Sequence, residues 1–233
     1  MLQDQQNTVY PMDTLVQTQQ QIVEVAPEQI SLIELLMKAG WIMLPLALIL
    51  FIAIFIFIER YLTIKKASKY DSSLMVQVKQ HVMTGKLDSA LAVCRANNNP
   101  LGRMLQKGLL RIGRPIKEIE GAIENVGKLE VAKLEKNLNI LSIIATIAPM
   151  LGFIGTIFGV IIIFRDVEIA GGIDIASVSG GLYVKMVASA VGLSIGILSY
   201  IGYHWLNMMV DRLILRMETD AVEFIDLLDQ PGS

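Results

Sequence analysis

Four hydroxyl side chains, Ser142, Thr146, Thr156 and Ser189, sit in stretches of sequence that hold no Asp, Glu, Lys or Arg. A lone Ser or Thr in an apolar helix commonly bonds its own backbone. Several on one stripe form a weakly polar seam that accommodates water or a protonatable group. Ser142, Thr146, Pro149 and Thr156 fall on one helical stripe, and Ser189 is read as facing them from the next apolar run. That pattern suits proton passage rather than bond making. No nucleophile–base pair, metal cluster or phosphate loop accompanies it, so no enzyme activity, cofactor or metal is expected. Relay groups in membrane transport are normally ionisable residues inside the spans. With none here, a proton crossing this chain needs a titrating group brought by a partner. The lone His204 reads as an interfacial residue.

The elements that position these hydroxyls are apolar runs. Of the 233 residues, 53% are hydrophobic and only 18% charged, with a net charge of −2; soluble domains are about 25% charged. Three runs, 41–58, 137–164 and 186–210, are long enough to cross a bilayer, which takes about 20 residues, the Trp41 anchor extending the first. The fold class predicted is therefore an all-α integral membrane protein with three transmembrane helices and long helices extending into the cytoplasm. Nothing in the charge balance points to nucleic acid, and the contacts expected at the spans are with membrane lipids.

Basic flanks set the orientation. Arg60, Lys65, Lys66 and Lys69 follow the first run, and Lys128, Lys133 and Lys136 precede the second, whereas Lys38 is the one basic residue before the first. This places the N-terminus outside and the C-terminus inside. The segments are then an external arm with a short amphipathic helix (1–39), the first span (40–60), a cytoplasmic helical region (61–136), the second span (137–164), a short periplasmic loop (165–185), the third span (186–210) and a cytoplasmic C-terminal helix (211–233). The stripe at Ile30, Ile33, Leu36 and Met37 fits either a surface helix or an extension of the first span. The polar, Gln-rich start lacks the basic-then-apolar pattern of a cleaved signal. Within the cytoplasmic region, helices are expected near 72–84, 88–96 and 101–112, with Asn97-Asn98-Asn99-Pro100 and Gly113-Arg114-Pro115 as breaks. From Pro115 a helix is expected to continue unbroken into the second span. Cys94, the single cysteine, sits in an apolar pattern and reads as a buried thiol.

Small residues mark where the spans touch. Ala148, Gly152, Gly155 and Gly159 share one face of the second span, and Ser189, Gly192, Gly196, Ser199 and Tyr203 form a matching stripe on the third. Such faces let helix backbones approach in lipid, against each other or against other copies.

The run Ile147-Ala148-Pro149-Met150-Leu151-Gly152-Phe153-Ile154-Gly155-Thr156-Ile157-Phe158-Gly159, with Phe164 beyond it, closely resembles the APxxGLxGTxxGxxxxF core of the MotA/TolQ/ExbB proton-channel family. Ala188-Ser189-Ala190-Val191-Gly192-Leu193 is similar to the family's ATAxGL segment, and Glu59-Arg60 ends the first span as the family's ER does. The resemblance covers roughly residues 40 to 210. It implies a homo-oligomer, a pentamer, whose second and third spans line a central pore in a bacterial inner membrane. It further implies a one-span ExbD-like partner in that pore, whose aspartate carries the proton past Thr156 and Ser189, and a TonB-like periplasm-spanning protein that receives the motion. The ExbB-like branch, which energises outer-membrane transport, fits better than the flagellar MotA-like branch. A TolQ-like envelope-integrity role and a non-conducting membrane scaffold are the alternatives. Where such proteins typically carry a pore glutamate, this chain has Val184, flanked by Tyr183 and Lys185. Lys185 is read as either a cation at the outer pore mouth or an interfacial snorkelling lysine.

The orientation is testable directly. In a chain with Cys94 replaced, a cysteine at Ser72 should resist a membrane-impermeant thiol reagent in intact spheroplasts, and one at Thr18 should react. The reverse pattern would invert the topology.

Overall fold

The computed structural model describes residues 40–69, 73–97, 99–172 and 174–229, so the expected arm and amphipathic helix at 1–39 lie outside the described residues. Those described form seven helices: α1 (Met43–Ala67), α2 (Ser73–Met83), α3 (Leu87–Ala96), α4 (Pro100–Leu109), α5 (Ile116–Glu135), α6 (Leu138–Ala170) and α7 (Ile175–Asp229). Three helical stretches are long and apolar enough to cross a membrane. They are α1, α6 with α5 before it, and α7.

Two apolar cores stack along the long axis. In the membrane part, Leu46 and Ala53 of α1 meet Ile144 and Ala148 of α6 and Ile195 of α7. In the part beyond the spans a larger core gathers α2 to α5 around the far half of α7, with Leu74, Leu105, Ile123 and Phe224 fully buried. Phe57, Tyr61 and Trp205 stack at the junction, with centroids 5.8 to 6.5 Å apart, as aromatic residues do at a membrane interface. A 55-residue α7 runs through both cores, roughly 80 Å at 1.5 Å per residue.

Local signals account for most boundaries. Asn99 ends the polar run after α3 and caps α4, its side-chain oxygen accepting from the Gly102 N–H at 2.7 Å, with Pro100 in the first turn. Cys94 is buried, and burial pushes its thiol up to about 11, so it is inert at neutral pH.

Two expectations are corrected. The helix from Pro115 does not continue unbroken into the second span. It stops at Lys136, and Asn137 takes a left-handed conformation (φ 63°) before α6 begins, a backbone state that Asn tolerates better than most residues. Arg60 of α1 fastens this break. Its side chain is buried, its guanidinium pairs with Glu59, and it donates to the Lys136 carbonyl at 2.9 Å and the Lys133 carbonyl at 3.3 Å. Those carbonyls end α5 and have no partner within that helix. The connection between α6 and α7 is also shorter than the expected 165–185. Helix α6 continues to Ala170, and α7 starts at Ile175 after a turn through Gly171 at φ 65°. Arg165, Asp166 and Glu168 are exposed on the extended end of α6. A charge ends an apolar run without ending the backbone ladder.

In the larger core, Glu130 of α5 is only 3% exposed and is held by Arg103 of α4 and by Lys133 at 2.7 Å. Burial alone would raise its carboxyl, but the two cations outweigh that and hold it below the ordinary carboxylate range. A depressed folded value stabilises fully above the unfolded value and is lost as pH falls through the folded one. Glu130→Gln should therefore cost about 1–3 kcal/mol near neutral pH, read as a lower melting temperature. The gap from the parent should narrow as pH falls below about 4. A gap independent of pH would show that the carboxylate's charge is not what Arg103 and Lys133 hold.

Candidate functional site

Helices α6 and α7 meet along their small residues, and the contact lies within one chain. A methyl group placed on Gly192 would come 2.6 Å from the Ala148 carbonyl oxygen, and one on Gly152 would come 2.9 Å from that of Ala188. Gly196 faces the Pro149 ring, whose Cγ would be 2.5 Å away, and the Ala145 carbonyl oxygen at 2.9 Å. Pro149 has no N–H for that carbonyl, four residues earlier, so the α7 backbone packs where the α6 ladder is open. Gly155 turns instead toward α1, 3.1 Å from Ile42 by the same measure. The small face of α6 thus serves two neighbours. At Gly159 the Lys185 stem fills the space a side chain would take.

Thr156 bridges the two helices. Its hydroxyl is 3.2 Å from the Gly152 carbonyl of its own helix and 3.4 Å from the Lys185 carbonyl of α7. Ser189 lies one turn along the same contact, its Cα beside Gly152. The structure therefore brings Thr156, Ser189 and the Lys185 backbone together. Thr146 is exposed and donates to the Ser142 carbonyl at 3.2 Å. Ser142 and Thr146 continue the stripe toward the α5 end of α6, Thr146 about 15 Å from Thr156 by helical rise. On α7, Tyr183 is exposed and stands about 240° around the helix from Ser189, away from the hydroxyls. The Lys185 side chain crosses Gly159 toward the start of α1, its Nζ 3.9 Å from where a Cβ on Gly40 would stand.

The far side of the α6–α7 pair from α1 is thus lined by Ser142, Thr146, Phe153 and Thr156 of α6 and by Ser189, Leu193 and Tyr200 of α7. Phe153, Leu193 and Tyr200 there are exposed on the single chain. Tyr200 stacks edge-on against His204 at 4.3 Å, which puts His204 near the end of this face closest to the larger core. Among the described residues of the apolar runs there is no carboxylate, Arg or Lys.

Residues 96–219, just over half of the chain, match the sequence profile of the MotA/TolQ/ExbB proton channel family. The chain belongs to that family. It is 27% identical over 177 residues to an ExbB homolog of Methanothermobacter thermautotrophicus, covering 75% of this chain and 61% of that protein. It is 40% identical over 80 residues to the biopolymer transport protein ExbB of Helicobacter pylori, covering 34% and 55%. It is 31% identical over 99 residues to the Tol-Pal system protein TolQ of Pseudomonas aeruginosa, covering 42% and 43%. The chain thus spans 43% to 61% of the length of these curated relatives. The three apolar helices make this member of the MotA/TolQ/ExbB proton channel family a membrane protein.

Sequence reasoning missed the Arg60 clasp and the Glu130 ion cluster. Both are charges buried by tertiary contact, and their one advance signal was a Glu-Arg pair closing an apolar run.

The close α6–α7 contact predicts a graded glycine series. Gly192→Leu should lower the thermal stability of the detergent-solubilised chain by about 1–3 kcal/mol or prevent folding outright. Gly121→Ala, on α5 where nothing stands within 4 Å of the added methyl, should instead stabilise by about 0.5–1 kcal/mol. Equal tolerance at both positions would mean the two backbones do not touch.

Proposed function

We propose that this chain is the wall-forming subunit of a proton-driven motor in a bacterial inner membrane. Copies assemble into a ring, a pentamer, with the hydroxyl-bearing side of α6 and α7 turned to the centre. A one-span ExbD-like partner occupies that centre and carries the titrating carboxylic acid. Its movement drives a TonB-like protein that reaches the outer membrane. The observation that carries this reading is the face just described, with hydroxyls at several depths and no carboxylate of its own.

The physics is one of charge solvation. Ionising a carboxylic acid in a low-dielectric space costs several kcal/mol or more. Hydroxyls at Thr156 and Ser189, with water along Ser142 and Thr146, lower that cost enough for a partner's acid to load from one side and discharge to the other. Lys185 acts from the edge, its stem packed on Gly159 and its ammonium toward the outer interface, where it favours anionic over cationic neighbours. Tyr183 stands at the outer rim. A TolQ-like role in envelope integrity is the second reading, favoured by the identity to the TolQ of Pseudomonas aeruginosa. The two differ in the partner served and share the passage.

A hydrogen bond to a charged group is worth about 1.5–3 kcal/mol. Thr156→Val, nearly the same shape without the hydroxyl, should therefore cut proton-driven uptake through an outer-membrane receptor by about tenfold or more. Ser189→Ala should act more mildly, and Ser189→Thr should be tolerated. Complex recovery by co-purification should survive all three. Full uptake by the Thr156→Val, Ser189→Ala double variant at normal complex levels would leave the hydroxyls with a packing role alone.

A further inference from the structure

His204 is the one residue of the three apolar runs whose type takes up and releases protons between about pH 5 and 8. Its ring is exposed on the single chain and lies edge-on to two tyrosines, Tyr200 at 4.3 Å and Tyr203 at 5.2 Å between centroids. By helical period, Tyr200, His204, Asn207 and Asp211 all fall within about 60° of Ser189 around α7. Trp205 stands about 160° from Ser189 and packs instead on Phe57 of α1. The hydroxyl side of α7 thus continues as a polar file, in steps of about 4.5 to 6 Å of helical rise, toward the larger core. Between Ser189 and Tyr200 the file is interrupted for about 16 Å, and α6 covers that interval. The Ala145 carbonyl oxygen is 2.9 Å from where a Cβ on Gly196 would stand, and Leu141 Cδ2 is 3.5 Å from one on Gly202. Thr146 therefore stands within the interval, and Ser142 near the level of Tyr200.

We propose that His204 is the proton-discharge group of this chain, taking the proton that leaves the partner's acid and passing it to water at the end of the passage closest to the larger core. This rests on the proton-motor reading above and assigns the group at one end of it. The partner's carboxylic acid gives up its proton along the water beside Thr146 and Ser142 and becomes a carboxylate. An imidazole nitrogen of His204 accepts that proton, and the resulting imidazolium releases one to water beside Asn207 and Asp211, which restores the neutral ring. Hydroxyls and water pass a proton on but do not hold it. A neutral imidazole has one nitrogen that accepts and one that donates, so a proton enters on one side of the ring and leaves from the other. The edge contacts of Tyr200 and Tyr203 keep the ring on the passage side of α7. The ionisable groups around this level are Tyr200, Tyr203 and Asp211 on α7, Tyr61 and the Glu59–Arg60 pair on α1, and Lys136 at the end of α5, while 138–142 of α6 bring none. Arg60 is turned onto Glu59 and onto the Lys133 and Lys136 carbonyls. Asp211 is exposed and, about 10 Å beyond His204, offers the departing proton its next acceptor.

The test is proton flux in liposomes holding the full chain with a histidine-free one-span protein that bears an intramembrane aspartate. Flux is driven by an imposed membrane potential at equal pH on both sides. His204→Asn and His204→Gln should each lower it at least about tenfold near pH 7.5. The gap from the parent should close toward about pH 5, where an imidazole stays protonated and cannot accept. A loss of the same size at every pH would mark a packing role and overturn the proposal. Parental flux in both variants would overturn it while leaving the motor reading in place, and a parent complex that does not conduct would remove both. Should neither variant co-purify with the one-span protein, the assembled His81→Gln complex decides, since its chain keeps His204 as the one histidine. Diethyl pyrocarbonate should then modify His204, seen by mass, and block the flux, and hydroxylamine should restore it. A His204 that stays unmodified, or whose modification leaves the flux intact, would overturn the proposal.

Discussion

Between Gly152 and Gly192 the backbones of α6 and α7 touch, and the positions of the functional groups follow from that contact. Lipid gives no hydrophobic reward for bringing two apolar helices together, so their association rests on packing and on hydrogen bonds. With no side chain at either position, the Ala148 carbonyl comes up against α7 and the Ala188 carbonyl against α6. One turn on, the same approach brings the Thr156 hydroxyl within reach of the Lys185 carbonyl. A wider separation would lose that bridge and tilt Ser189 away from Thr156. Pro149 and Gly196 extend the fit toward the α5 end of α6, and Gly155 gives α1 its place through Ile42.

The membrane part is joined to the part beyond the spans by two different devices. Helix α7 passes through without interruption, a continuous rod through both cores. Helices α5 and α6 are separate rods joined at Asn137, and Arg60 holds that joint by bonding the carbonyls that end α5. A guanidinium suits this position because it presents several donors in one plane and stays charged at any working pH. Glu59 balances its charge beside it. Helix α7 is therefore a continuous connection between the two parts, while the α5–α6 joint is held by a polar clasp.

Much of this was legible in the sequence, and the reasons differ from part to part. The spans showed as runs without charge because a bilayer admits few other sequences. The small-residue stripes showed that close contacts existed, but period alone does not say whether a partner helix lies in the same chain or another. Here Gly152 and Gly192 meet each other, while Gly155 meets α1. The break at Asn137 was hidden because a single Asn in a polar, helix-forming stretch is compatible with both outcomes. The segment 165–185 read as a loop because Arg165, Asp166 and Glu168 end the apolar run, although helical hydrogen bonding is indifferent to exposed charge. Glu130 and Arg60 were invisible as buried groups, since burial of a charge depends on partners distant in sequence.

The central claim is that this MotA/TolQ/ExbB chain supplies a solvating wall and that the proton-carrying acid belongs to a partner. Proton flux into liposomes under an imposed pH gradient tests it most directly. Liposomes holding this chain alone should be as tight to protons as empty ones. Those holding it with a one-span protein bearing an intramembrane aspartate should conduct, and Asp→Asn in that partner should abolish the flux. Sustained proton conduction by the chain alone would contradict the claim, because it would require a relay within spans that have no carboxylate to provide it.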